Sequence, residues 1–308
     1  MSKPVVGIIG GSGFYGLDLT IEKEIDVTKE VEGWPFGAPS SPVSIARLKG
    51  KDQDVVVAFI ARHGKHHSIS PSHVPNAANI AALKYAGAQA IIAFSAVGSL
   101  REEIKPRDIV IPSQIIDRTK GIRPSTYFEN GIVAHAMLGD PFDNQLIQVI
   151  TPLIKSALSD NNITDVDIHM DKTVVCMEGP QFSSRAESAM YRLWGGDIIN
   201  MSVLPEAKFA REAELSYVMI ATATDYDAWR VSEEPVTVAE VMKTLSANSK
   251  VSKIITESIV AELSKKITQG ALTLAKGSMQ YSIVTKPQDQ PAEERRKLSH
   301  ILPYFKDN

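Results

Sequence analysis

Four stretches of this chain carry residue types that do chemistry, each at the end of an apolar run. VVGIIGGSGFYG (residues 5–16) has Gly11, Gly13 and Gly16 around the hydroxyl of Ser12. ARHGKHH sets Arg62 and His63 after a second run, and SAVGS sets Ser95, Ala96 and Gly98 after a third. ATATDYDAW closes a fourth with Asp225 and Asp227. Glycine turns free backbone N–H groups that, with a hydroxyl, can hold an anion. A guanidinium offers a planar fork that suits a tetrahedral oxyanion, and a histidine can donate beside it. Carboxylates two positions apart share a side if the chain stays extended.

The elements that must position these groups are strands. Val5–Ile9, Val55–Ala61, Ala90–Phe94, Asp108–Ile111, Val174–Met177, Ile198–Met201 and Ser216–Ala223 are short β-branched runs with little polar alternation, as expected of strands covered on both faces. Helical spacing appears in Asn79–Ala86 and Asn144–Leu158. Ser184-x-x-Glu187 and Thr237-x-x-Glu240 read as capping boxes, the second opening an amphipathic helix to about Ile267. Strands alternating with helices predict an α/β fold with a mixed central β-sheet flanked by helices. Ligands of such sheets collect outside the carboxyl ends of the strands, so three anion-suited ends point to one phosphate pocket.

Other readings stand beside this one. A G-x-G-x-x-G loop can hold a dinucleotide, but that needs a crossover helix at the third glycine. The segment LDLTIEKEIDVTKEVEGWPFG has no such period and breaks at Trp34-Pro35. The glycines could also form a turn without a ligand. His63, His66, His67 and His73 suggest a metal, yet Gly64 interrupts the helix that would align two of them, and the segment lacks cysteine and carboxylate ligands. No metal is expected, and Lys65, His66 and His67 read as a solvated loop. Asp225 and Asp227, taken alone, fit a solvated turn.

Bulk properties narrow the class. The chain has 308 residues, 44% of them hydrophobic, and a net charge of -3, which disfavours a broad nucleic-acid surface. No run is long enough to span a bilayer, and no signal peptide is evident. Cys176 is the single cysteine, so an intrachain disulfide is ruled out. The expected setting is the cytosol, with the nucleus also open to it. The expected division is one domain, residues 1–285, with a C-terminal extension, 286–308, whose Pro287–Lys297 stretch reads as an exposed arm.

GIIGGSG, ARHGKHHSISPSHVPNAANI, SAVGSLREEIKPRDIVIP, EGPQFSSRAES, NMSVLPEA and ATATDYDAW occur in this order. Together they closely resemble the 5′-methylthioadenosine phosphorylases, within the trimeric purine nucleoside phosphorylase family. The resemblance runs from about Val6 to Leu245 and returns weakly around Met279–Val284. It implies a purine nucleoside phosphorylase-like fold, a homotrimer with sites near subunit interfaces, and phosphorolysis of S-methyl-5′-thioadenosine to adenine and 5-methylthioribose 1-phosphate. No cofactor is implied, since inorganic phosphate is the co-substrate. The glycine loop would then hold free phosphate.

Carried over by motif, Ser12, Arg62, His63, Ser95, Ala96 and Ser202 fall on phosphate-binding positions. Phe182 falls beside the base, Met201 beside the ribose, and Asp225 and Asp227 on the adenine edge. Asp225 is the expected proton donor to ring nitrogen 7, which requires a raised pKa. The 6-oxopurine nucleoside phosphorylases, the alternative activity, place Asn at position 225 and Glu at position 183, where this chain has Asp225 and Ser183. Val238 and Val241 fall against the 5′ group, where apolar side chains suit a methylthio ether. His135 and Val284 align, the latter loosely, with residues that reach the pocket from an adjacent subunit.

Overall fold

The computed structural model describes residues 4–11, 19–49, 54–230 and 237–306. Its elements in chain order are β1 (Val6–Gly10), β2 (Leu19–Ile25), α1 (Val27–Glu30), β3 (Val43–Leu48), β4 (Val55–Ala61), α2 (Asn76–Ala86), β5 (Ala90–Ser99), β6 (Ile109–Arg118), α3 (Asn144–Asp160), β7 (Ile168–Met177), α4 (Arg185–Leu193), β8 (Ile198–Asn200), α5 (Val203–Glu212), β9 (Ser216–Tyr226), α6 (Val238–Thr268) and α7 (Ala292–Leu298). The strands make one mixed sheet in the order β2-β3-β4-β1-β5-β8-β7-β6-β9, and β9 returns to pair with β5. Five strands thus close a ring, and the other four extend from it as an open wing.

Strands β4, β1, β5 and β9 run parallel, so their carboxyl ends share one edge. Gly10 pairs with Ala61, one residue short of Arg62, and Ser95 pairs with Ala221. Every residue of β1 is buried, as are Ile91, Ile92 and Ala93 of β5. This explains the unbroken apolar runs: a central strand has no solvent face on which to alternate. Outside the sheet, α3 packs on α6, burying Leu146, Ile150 and Ile154 of the one and Ile255, Ile259 and Leu263 of the other.

Both capping boxes form. The Glu187 N–H donates to Ser184 Oγ (3.3 Å) while the Ser184 N–H donates to Glu187 Oε2 (2.8 Å), and Thr237 and Glu240 repeat the exchange. Among the described residues, no crossover helix follows the glycines before β3. The chain returns as β2, an edge strand antiparallel to β3, whose outward charges Lys23 and Glu24 pair with Glu30 (2.9 Å) and Lys65 (2.6 Å).

The Pro287–Lys297 stretch is mostly exposed, Glu294 apart, but the residues that follow it are not. Leu298, Ile301, Leu302 and Phe305 are buried in the main core. The Phe305 ring lies 6.3 Å from Phe128, His300 sits edge-on to Trp34, and the Tyr304 hydroxyl donates to Glu214 Oε1 (2.6 Å). The charges of α7 mislead because Glu293 and Arg296 face out. Glu294 is buried on the side of Leu298, where it accepts from Asn130 Nδ2 (2.9 Å), and the apolar residues after Leu298 turn inward.

Candidate active site

A cavity of about 830 Å3 opens at the carboxyl edge of the parallel strands. Arg62, His63, Ser95, Ala96 and Ser202 line it together, with Met201, Phe182, Asp225, Asp227, Val238 and Val241. Ser12, with Gly13 and Gly16, lies outside the described residues. Ser183, His135 and Val284 do not line this cavity.

The oxyanion end is built around a buried guanidinium. Arg62 is 1% exposed. Its Nε and Nη2 donate to the two oxygens of Glu206 (2.7 and 2.9 Å), and Nη1 donates to Phe94 O (2.8 Å). The fork expected to grip a ligand therefore grips a carboxylate of α5, in a buried pair with good geometry. Gly11 makes this possible: a Cβ there would lie 2.6 Å from Arg62 Nη1 and 2.7 Å from Phe94 O. Gly11→Ala is expected to displace the guanidinium and weaken use of phosphate by about tenfold or more, read as a rise in the KM for phosphate. An unchanged KM would separate Gly11 from the anion end.

His63 is held from the other side. Its Nδ1–H donates to Ile69 O (2.8 Å). Burial, together with the Arg62 charge, lowers its pKa to about 4, so the ring is neutral. In the neutral ring the one ring N–H is committed to a carbonyl, and the opposite nitrogen is an acceptor.

Ser95 and Ser202 come together from residues 107 apart, their hydroxyls 3.1 Å from one another. Asn200 bridges them, its Nδ2 donating to Ser95 Oγ (3.1 Å) and Ser202 Oγ (3.3 Å). SAVGS, expected to follow the strand Ala90–Phe94, is instead the outer half of β5.

At the far end of the cavity stand the two carboxylates. Strand β9 bulges as it passes β5: Val97 pairs with Ala223 but Gly98 with Asp225, leaving Thr224 as the extra residue. Bulges re-aim side chains, and Gly98 leaves room here, since a Cβ on it would lie 3.3 Å from Asp225 Oδ2. Burial raises the Asp225 pKa to about 6; the Thr224 hydroxyl, donating to Oδ1 (2.6 Å), opposes this, and the Asp227 and Glu240 charges add to it. Burial also raises Asp227, with the Ser188 and Ser183 hydroxyls pulling the other way. Asp227 Oδ2 is buried with no hydrogen-bond partner among the described residues. Ser183 thus stands behind Asp227, not in the cavity wall.

Phe182 sits at the mouth, 44% exposed, and Val238, Val241 and Met242 line the adjoining wall from the first turn of α6. His135 belongs to a separate hollow with Thr126, Lys208 and Glu212. Val284 is beside it, its N–H donating to Val133 O (2.8 Å) while the His135 N–H donates to Ser282 O (2.9 Å).

Sequence reasoning missed four residues here. Met242 follows Val238 by one helical turn, a spacing that would have found it. Asn200 and Glu206 both stand in NMSVLPEA, where only Met201 and Ser202 were given a role. Arg123 carries no local signal, since its partners are remote. Arg123 donates from Nη1 to Met201 O (2.8 Å) and Leu204 O (2.6 Å) and from Nε to Glu178 Oε1 (2.6 Å), tying together the ends of β7 and β8.

With this geometry in place, the comparisons with known proteins are decisive. Residues 5–261 match the Phosphorylase superfamily. The chain belongs to that superfamily. Within it, the chain is 56% identical to S-methyl-5′-thioadenosine phosphorylase 1 of Puccinia graminis f. sp. tritici, the match covering 98% of both chains. It is 52% identical to the S-methyl-5′-thioadenosine phosphorylase of Mycosarcoma maydis, over 98% of this chain and 95% of that one. Among solved structures, a methylthioadenosine phosphorylase from an antarctic soil metagenomic library superposes with a TM-score of 0.86 at 38% identity, covering 98% of this chain and all of that one, 100%. The methylthioadenosine phosphorylase of Schistosoma mansoni, solved in complex with adenine, gives a TM-score of 0.78 at 32% identity over 91% of this chain and 99% of its own. This superfamily member has the mixed-sheet α/β architecture that its motifs imply.

Proposed function

We propose that this chain cleaves S-methyl-5′-thioadenosine with inorganic phosphate, yielding adenine and 5-methylthioribose 1-phosphate. The observation that carries the reading is the single cavity with oxyanion groups at one end, paired acids at the other and an apolar wall beside them. The relatives named for this reaction, at 56% and 52% identity, support the same substrate.

The chemistry follows from charge. As the glycosidic bond lengthens, the sugar becomes cationic and the purine anionic. Phosphate held by the Ser95 and Ser202 hydroxyls, beside Arg62, approaches the anomeric carbon from the face opposite the base. Positioning and preorganised electrostatics lower the barrier, with no covalent enzyme intermediate. Asp225 gives its proton to ring nitrogen 7 as the base departs, and Asp227 accepts from the exocyclic amine. Phe182 covers the base, and Met201 adjoins the ribose. Val238, Val241 and Met242 receive the methylthio group.

We also propose that the active form is a trimer in which His135 and Val284 serve a neighbouring copy. The support is the exposed apolar surface around them, where Met137 is 69% and Tyr281 93% exposed.

The test is base release from S-methyl-5′-thioadenosine and adenosine, with and without phosphate. Release should require phosphate, and adenosine should be the poorer substrate by about 10–200-fold, the range for a small apolar group in an apolar pocket. Equal rates in phosphate-free buffer would make the protein a hydrolase and end the proposal.

A further inference from the structure

Among the described residues, the Arg and Lys charges at the oxyanion end of the cavity are paired with carboxylates. Arg62 is cancelled by Glu206, which is itself fully buried and also accepts from the Tyr217 hydroxyl (2.6 Å). Burial, with the Glu206 carboxylate beside it, keeps the Tyr217 hydroxyl protonated and therefore a donor. Lys65, at the same end, pairs with Glu24 (2.6 Å). His63 and His67 lie with ring centroids 4.5 Å apart, an arrangement that disfavours charge on either ring; burial lowers the pKa of His67 as well.

Because a carbonyl oxygen can only accept, the hydrogen bond to Ile69 O fixes the proton of His63 on Nδ1. In the neutral ring that burial and the Arg62 charge favour, Nε2, on the opposite edge, can only accept. A tetrahedral oxyanion beside His63 satisfies it by donating a proton of its own. Hydrogen phosphate has one to give; sulfate has none, and would set an oxygen lone pair against a nitrogen lone pair.

We propose that this end of the cavity reads the proton on its anion: Glu206 removes the net charge of Arg62 and fixes its direction, and His63 accepts from a hydroxyl-bearing tetrahedral oxyanion, so that protonated anions are selected over unprotonated ones of the same shape. This rests on the reading of the cavity as a phosphorylase site and makes Glu206 a positioning residue and His63 a specificity-determining one.

Calorimetric titration of the protein, in the presence of adenine, with phosphate, arsenate and sulfate near neutral pH tests it without depending on turnover. Phosphate and arsenate should bind within a few-fold of one another, and sulfate about tenfold or more weaker. In His63→Gln the amide can turn a donor to the anion, and the sulfate-to-phosphate ratio of Kd values should fall by about tenfold. Glu206→Gln, which uncovers the Arg62 charge, should move the ratio the same way. General damage weakens both anions together and leaves the ratio alone. Sulfate binding within about threefold of phosphate to the unaltered protein, or an unchanged ratio in His63→Gln, would overturn the inference. If the anions bind in the expected order but phosphate releases no base, the proposed function fails and this reading of the anion site survives.

Discussion

Replacing Asp225 by Asn is expected to lower kcat for S-methyl-5′-thioadenosine by about 10²–10⁴, the usual span for loss of a positioned proton donor. The side chain keeps its shape and an N–H₂ group, so the base can still be hydrogen-bonded. What is lost is the transferable proton. The free-enzyme pKa of about 6 sets the sign of the pH dependence. The protonated carboxyl is the active form, and its fraction falls as pH rises through about 6. The profile of kcat/KM for the nucleoside should therefore fall on its alkaline side, and that limb should be missing in Asp225→Asn. Near-normal turnover in the variant, or an unchanged profile, would move the proton donor elsewhere.

The second large effect concerns the base. Asp227 Oδ2 is a buried acceptor without a partner among the described residues, at the end of the cavity where the purine edge belongs. A 6-amino group supplies the missing donor. A 6-carbonyl brings a second acceptor and leaves the carboxylate unpaired, a mismatch that sites of this kind reject by about 10⁴. Adenosine should exceed inosine by that order in kcat/KM, a comparison in which the sugars are identical and the 5′ wall drops out. Asp225→Asn should narrow the gap, because an amide can donate to a carbonyl. A preference for inosine in the unaltered protein would reverse the assignment of the purine edge.

Much of the fold was legible because the central strands and the two capped helices obey local rules. The runs at β1, β4 and β9 are apolar because both faces are covered, and Ser184 and Thr237 mark helix starts by hydrogen bonds made within one turn. The edge strand β2 was not legible: its alternation is masked by charges that pair with other elements, as Lys65 does with Glu24. The C-terminal segment misled for a similar reason, since QDQPAEERRK hides how much apolar surface follows it.

The same division applies to the site. Arg62, Ser95, Ser202, Asp225 and Asp227 stand in motifs, and the structure brings them to one cavity. How they are used depends on partners far away in the chain. Glu206, separated by 144 residues from Arg62, takes two of the guanidinium's N–H donors and fixes its direction. Ile69 O takes the one N–H of the neutral His63 ring in the same way. Sequence shows which functional groups are present; the direction of their protons is decided by packing.

The docking of the last residues bears on how the protein is made. Leu298, Ile301, Leu302 and Phe305 fill part of the core that β1 and β5 begin. These residues follow β1 and β5 by most of the described chain, so the core that those strands begin stays incomplete until they are made. Until then, apolar surface near Phe128 and Trp34 stays open to water and to other chains, and quality control during translation has its longest opportunity there.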